Sequence, residues 1–143
     1  MQNKGIAINS DIRDFIPQRD PFILVDQLIS CNGKLTESIF QIPYIHPLIH
    51  QGRLCAGGLV ENMAQTAAAG NGFEAKINGS DTPKGFIAGI KNLQINRLPE
   101  VNSNLLTKVL LQDRIMGFNL IIGEVFESDE LIASCEMKIY CPI

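Results

Sequence analysis

The sequence predicts an α+β domain in which an antiparallel sheet wraps around one long central helix. Three observations carry this. Residues 57–75, GGLVENMAQTAAAGNGFEA, are apolar or small nearly all round, the signature of a helix enclosed by other elements. Four strand-like segments follow it with only turns between them, and strands without crossover helices pair antiparallel. Two further strand-like segments precede it. At 143 residues the chain is expected to form a single domain over 1–143, with enough length for a real core.

Each element has a local cause. Asp11 can cap a short helical turn through Arg13 and Phe15, which Pro17 stops. Phe22 to Ser30, FILVDQLIS, reads as a strand, and Cys31-Asn32-Gly33-Lys34 turns it back into a second from Leu35 to Ile42. Pro43 and Pro47 make residues 43 to 56 an extended loop. In the helix from Gly57 to about Ala75, Leu59, Val60, Met63, Ala64, Ala67 and Ala68 recur at three- and four-residue steps. Gly70 and Gly72 are expected to weaken its last turn, and residues 78–83, NGSDTP, form a loop. The four later strands are Gly85–Arg97, Asn104–Asp113, Phe118–Glu127 and Glu130–Cys141, the last three joined by turns at Asp113–Gly117 and Ser128-Asp129.

Composition narrows the function. Hydrophobic residues make up 45% and charged residues 19%, so the chain is globular. A net charge of −3 without a basic cluster leaves no footprint for nucleic acid or a membrane surface. No apolar run reaches membrane-span length and no signal peptide is evident, so a cytoplasmic protein is expected. The four cysteines, at 31, 55, 135 and 141, lack C-x-x-C spacing and read as ordinary thiols. His46 and His50, if extended, stand ~13 Å apart, too far for one metal ion, so no metal site is expected.

Three motifs carry a family resemblance. IPQRDPFILVDQL at 16–28 resembles the opening segment of bacterial β-hydroxyacyl-acyl-carrier-protein dehydratases. Glu61-Asn62-Met63-Ala64-Gln65 resembles their Glu-x-Met-Ala-Gln helix start, and Gly85-Phe86-Ile87-Ala88-Gly89-Ile90 their Phe-Leu-Ala-Gly-Ile strand. His46-Pro47-Leu48…Gly52-Arg53-Leu54-Cys55-Ala56 is similar to a segment of the divergent aryl-polyene-type branch. The resemblance implies the hotdog fold and a dehydratase that removes water from a 3-hydroxyacyl thioester on an acyl carrier protein. It implies no cofactor beyond the carrier's own phosphopantetheine. It also implies a homodimer, or a larger assembly, with a heterodimer beside another dehydratase as the variant.

That chemistry needs a base for the proton alpha to the thioester, an acid for the departing hydroxyl, and donors for the carbonyl. By the resemblance Glu61 is the acid, and the amides near Gly57 and Gly58 at the helix N-terminus hold the carbonyl. Gln65, one turn beyond Glu61, orients it or a water, or serves as a core amide bonded to backbone. The family base lies fourteen positions before the Glu, which here is Pro47; His46, one further back, is the preferred base and His50 the alternative. Gln18 replaces a family His read as structural. Cys55 replaces a proline and reads as a small buried hydrophobe rather than a nucleophile. Arg53 and Arg97 are candidates for the carrier protein or its phosphate, or simply surface charges. Two further readings stay open: a non-catalytic hotdog partner that binds acyl chains or shapes a heterodimer with an active dehydratase, and a thioesterase using the helix carboxylate.

Overall fold

The computed structural model describes residue 8 and residues 10–142. A 3-10 turn, Ile12–Asp14, is capped by the Asp11 carboxylate, which accepts the Arg13 amide. Strands β1 (Gln27–Cys31) and β2 (Leu35–Gln41) follow, then the two-residue strands β3 (Ile49–His50) and β4 (Arg53–Leu54). Helix α1 (Ala56–Ile77) leads into β5 (Phe86–Ile95), β6 (Asn104–Ile115), β7 (Phe118–Glu127) and β8 (Glu130–Tyr140). The six long strands form one antiparallel sheet in the order β1-β2-β6-β7-β8-β5. Strand β5 thus returns beside the last strand and not beside β6, which follows it in the chain.

The sheet closes on α1 because its alternate residues face inward. Phe40, Leu105, Val109, Ile121, Val125, Ala133, Cys135 and Met137 are buried in one cluster with Leu59 and Met63 of the helix. Each large side chain withdrawn from water there contributes about 1.5–3 kcal/mol. A second cluster, on the other flank of α1, holds Phe15, Ile16, Val25, Leu28, Ala69 and Phe73.

The helix runs unbroken past Gly70 and Gly72 to Ile77. A Cβ on Gly72 would come within 1.8 Å of the Phe15 carbonyl oxygen, so this glycine lets the segment before β1 pack backbone to backbone on the helix.

Three elements differ from the sequence expectation. Residues 22–26 are not strand, because the backbone of Leu24 bonds to side chains of α1 instead of a sheet neighbour. The loop 43–56 contains the β3–β4 hairpin, turned at Gln51 and Gly52, both of positive φ. Strand β6 extends to Ile115, since Met116 and Gly117 alone make the turn. Strand β5 is an edge, exposed from Phe86 to Gln94 on a side where no described strand pairs with it. No helix among the described residues is long and apolar enough to cross a membrane.

Candidate active site

The N-terminus of α1 is open. Cys55 is its N-cap and makes no side-chain capping bond, and Leu59 is the first residue whose amide bonds back, to the Cys55 carbonyl at 3.1 Å. The amides of the first turn are therefore donors without a helical partner, at the positive end of the helix dipole. The two glycines there differ. Gly57 is exposed, whereas Gly58 is buried, and a Cβ on it would meet Leu54 Cδ1 at 2.4 Å. Gly58 makes room for the β3–β4 hairpin, and Gly57 faces outward.

One turn on, Glu61 is half-buried, and its Oε1 accepts a hydrogen bond from Gln65 Nε2 at 3.3 Å. Gln65 is wholly buried and fully engaged. Its Oε1 accepts the Leu24 amide at 2.7 Å, and its Nε2 also donates to the Phe22 carbonyl at 2.9 Å. The amide that binds the backbone thus also touches the carboxylate. Asn62 extends the network, donating to the Leu24 carbonyl at 2.7 Å and accepting from Thr107 Oγ1 at 2.5 Å. Thr66 donates to the Asn62 carbonyl and pairs with Ser38. Every polar side chain on this buried face has a partner, so the turn carrying Glu61 is held rigidly.

Glu61 lines a cavity of about 320 Å³. Its helix wall is Glu61, Ala64, Ala68 and Asn71, one stripe at three- and four-residue spacing. Opposite stand Gln18, Ile87, Ile139 and Cys141. Burial pushes the Cys141 thiol up, so it stays protonated, and Asn71 Nδ2 lies 3.9 Å from its sulfur.

The histidines lie elsewhere in the chain. His46 Nδ1 accepts the Leu48 amide at 3.0 Å, which puts the proton of the neutral ring on Nε2. Nε2 is buried without a hydrogen-bond partner among the described residues. Burial lowers the pKa of His46 below the ordinary imidazole value, opposed by the nearby Ile23 backbone. His50 is exposed on the short hairpin, paired in register with Arg53. Neither imidazole lines the Glu61 cavity of its own chain.

The two arginines have internal partners. Arg53 donates to the Leu98 carbonyl at 2.7 Å and lies 3.6 Å from Glu100. Arg97 pairs with Glu127 at 2.9 Å and Glu130 at 2.6 Å, which holds the Glu127 carboxyl below its usual range. Cys55 is half-buried at the helix cap. Among the described residues no three His, Cys, Asp or Glu side chains gather as metal ligands. Sequence reasoning missed the Asn62–Thr107 pair and the place of Gln18 in the cavity. The only available signal was a polar residue among apolar neighbours.

An antiparallel sheet wrapped around one long helix, with a carboxylate over a cavity in the helix's second turn, defines a protein of the hotdog class. The family model of the ApeP-like dehydratases matches residues 10–143, and the chain belongs to that family. It is 27% identical over 139 residues to the 3-hydroxyacyl-acyl-carrier-protein dehydratase FabZ of Thermoanaerobacter pseudethanolicus, covering 90% of this chain and 93% of that one. It is 25% identical over 134 residues to FabZ of Shewanella loihica, covering 89% and 87%. Among solved structures, the dehydratase heterocomplex ApeI:P from Xenorhabdus doucetiae superposes with a TM-score of 0.86 at 18% identity, covering 93% and 91%. A hypothetical thioesterase with coenzyme A from Streptococcus pneumoniae shares the fold at a TM-score of 0.63 and 8% identity, covering 81% and 84%.

Proposed function

We propose that this dehydratase eliminates water from a 3-hydroxyacyl thioester carried on an acyl carrier protein, in a site completed by a second hotdog subunit. The observation that carries the reading is Glu61. It is a half-buried carboxylate, clamped by Gln65, above a cavity and one turn beyond an uncapped helix N-terminus. Four residues of helix span about 6 Å, so a thioester carbonyl on the Gly57 amide sets its third carbon near Glu61.

In the reaction, a base takes the proton from C2 as the carbonyl gains enolate character on the first-turn amides. The C3–O bond breaks, Glu61 gives its proton to the leaving hydroxyl, and water departs as the C2–C3 double bond forms. Proton transfer from the base back to Glu61 resets the site. His46 of the facing subunit is the proposed base, a role in which its Nδ1 gives up the Leu48 amide so that one ring nitrogen is free to take the proton. The unpaired outer edge of β5 supports pairing with a second copy or a related hotdog chain.

One observation favours a second reading of the base. The Leu48 amide occupies the Nδ1 lone pair of His46, so the neutral ring presents Nε2–H, a donor. On this reading His46 holds its loop and a different hotdog chain supplies the base. Intact mass of a 3-hydroxyacyl carrier protein, incubated with this chain alone and with a partner dehydratase, separates the two. Loss of water with the chain alone supports the His46 homodimer, and loss only with the partner supports the heterodimer. Release of the acyl group, or no change in either, rejects the dehydratase reading.

A further inference from the structure

Along the middle of α1 almost every side chain is covered. Between Glu61 and Gly72 only Glu61, Ala64, Ala68 and Asn71 are not buried, and these four form one stripe at three- and four-residue spacing. All four line the Glu61 cavity, so this stripe is the part of the helix that a molecule in the cavity touches. Its first part is apolar. Beyond the carboxylate, Ala64 and Ala68, with Ile87 and Ile139 across the cavity, offer only hydrocarbon side chains.

At Asn71 the surface turns polar. The side-chain amides of Asn71 and of Asn119, on β7, both donate to the Cys141 sulfur, at 3.9 and 3.8 Å. Helix, sheet and the segment after β8 therefore meet at this point. Asn71 and Cys141 also line a second groove, whose wall includes Glu74, Asn78, Asp81 and Arg114, with Arg114 paired to Glu74 at 3.3 Å. Asn71 thus stands where an apolar cavity gives way to a charged groove. A methylene laid on the alanines leaves water for hydrocarbon, whereas one pressed on the two amides displaces water without replacing its hydrogen bonds.

The stripe is also a ruler. Measured from Glu61, Ala68 and Asn71 lie about 10 and 15 Å along the helix. Carbon–carbon bonds of about 1.5 Å advance an extended chain by about 1.3 Å each. A chain whose third carbon sits at Glu61 therefore reaches Ala68 at about its eleventh carbon and Asn71 at about its fifteenth. We propose that Asn71 is a specificity-determining residue that ends the acyl stripe, so that the site rewards unbranched apolar acyl chains only up to about twelve carbons. The proposal rests on the acyl-thioester reading of Glu61.

The test is calorimetry of octanoyl-, dodecanoyl- and hexadecanoyl-pantetheine, which have no 3-hydroxyl to lose, with the full chain in the assembly it forms. From octanoyl to dodecanoyl, Kd should fall by at least about tenfold, since each methylene fully withdrawn from water is worth roughly fourfold. From dodecanoyl to hexadecanoyl it should change by less than about twofold. Asn71→Ala moves the end of the stripe one helical turn on, to Glu74, and hexadecanoyl-pantetheine should then bind at least about fivefold tighter than dodecanoyl-pantetheine. Asn71→Gln keeps an amide at the end and should keep the break at dodecanoyl. A merely structural Asn71 would lower the urea midpoint in Asn71→Ala and leave the break where it was. Affinity that climbs evenly to hexadecanoyl in the unmodified protein, no gain from octanoyl to dodecanoyl, or a break unmoved in Asn71→Ala overturns the proposal. Mass analysis of 3-hydroxydodecanoyl-pantetheine incubated with the same protein separates it from the proposed reaction. A break at dodecanoyl without water loss rejects the reaction and leaves the role of Asn71 standing, whereas water loss with evenly climbing affinity does the reverse.

Discussion

Replacing Gln65 with leucine removes the amide that ties residues 22–24 to the helix and touches Glu61. Three bonds are lost, and they are unequal. Leu24 is fully buried, so its amide, now without the 2.7 Å bond to Gln65 Oε1, bears the desolvation cost of an orphaned donor, about 1–3 kcal/mol. Phe22 is exposed, and its carbonyl recovers water, which limits that loss to about 1 kcal/mol. The 3.3 Å contact with Glu61 adds little to stability but fixes the carboxylate. Gln65→Leu should therefore destabilise the chain by about 2–4 kcal/mol. Urea unfolding with an unchanged m-value reads this directly. Gln65→Glu keeps an acceptor for Leu24 and should recover part of the stability, while placing a second carboxylate one turn from Glu61. A shift below about 0.5 kcal/mol in Gln65→Leu would refute the clamp, since surface substitutions cost no more than that.

Two other perturbations follow from the same packing. Gly72→Ala gains about 1 kcal/mol of helix propensity but drives a methyl into the Phe15 backbone, so a net loss of about 2 kcal/mol, seen as a melting point lower by about 5 °C, is expected; an unchanged melting point contradicts the close contact. His46 titrates below its unfolded value, so the folded chain binds fewer protons than the unfolded one just below the ordinary imidazole pKa. Its contribution is full above about pH 6.5 and is lost as pH falls toward the folded pKa. His46→Asn should flatten the urea-midpoint profile in that window, and a profile identical to the unmodified chain's would show that the ring is not buried.

The helix and the long strands were legible in the sequence because their periods of 3.6 and 2 are sustained over many residues. Residues 22–26 were not, since FILVD is an apolar run rich in strand formers that reads the same whether its backbone bonds a sheet or the side-chain amides of Gln65 and Asn62. The β3–β4 hairpin has strands of two residues, too short for any period to register. Glu61 stood out as a carboxylate on an apolar helix. Its setting did not, because Gln65 binds backbone groups more than forty residues earlier in the chain. The tautomer of His46 depends on the Leu48 amide, and the orphaned oxygen of Gln18 depends on residues 15–24 lying against α1. Both are consequences of packing, and residue identity alone does not reveal them.

The central claim is that Glu61 supplies the proton for elimination. The direct measurement is the initial rate of enoyl-thioester formation from a 3-hydroxyacyl carrier protein, with Glu61→Gln compared to the unmodified chain in the same assembly. Glutamine preserves the shape and the contact with Gln65 but has no proton to give, so a loss of about 10²–10⁴-fold with an unchanged urea midpoint is expected. A Glu61→Gln variant that forms enoyl thioester at the unmodified rate would contradict the account.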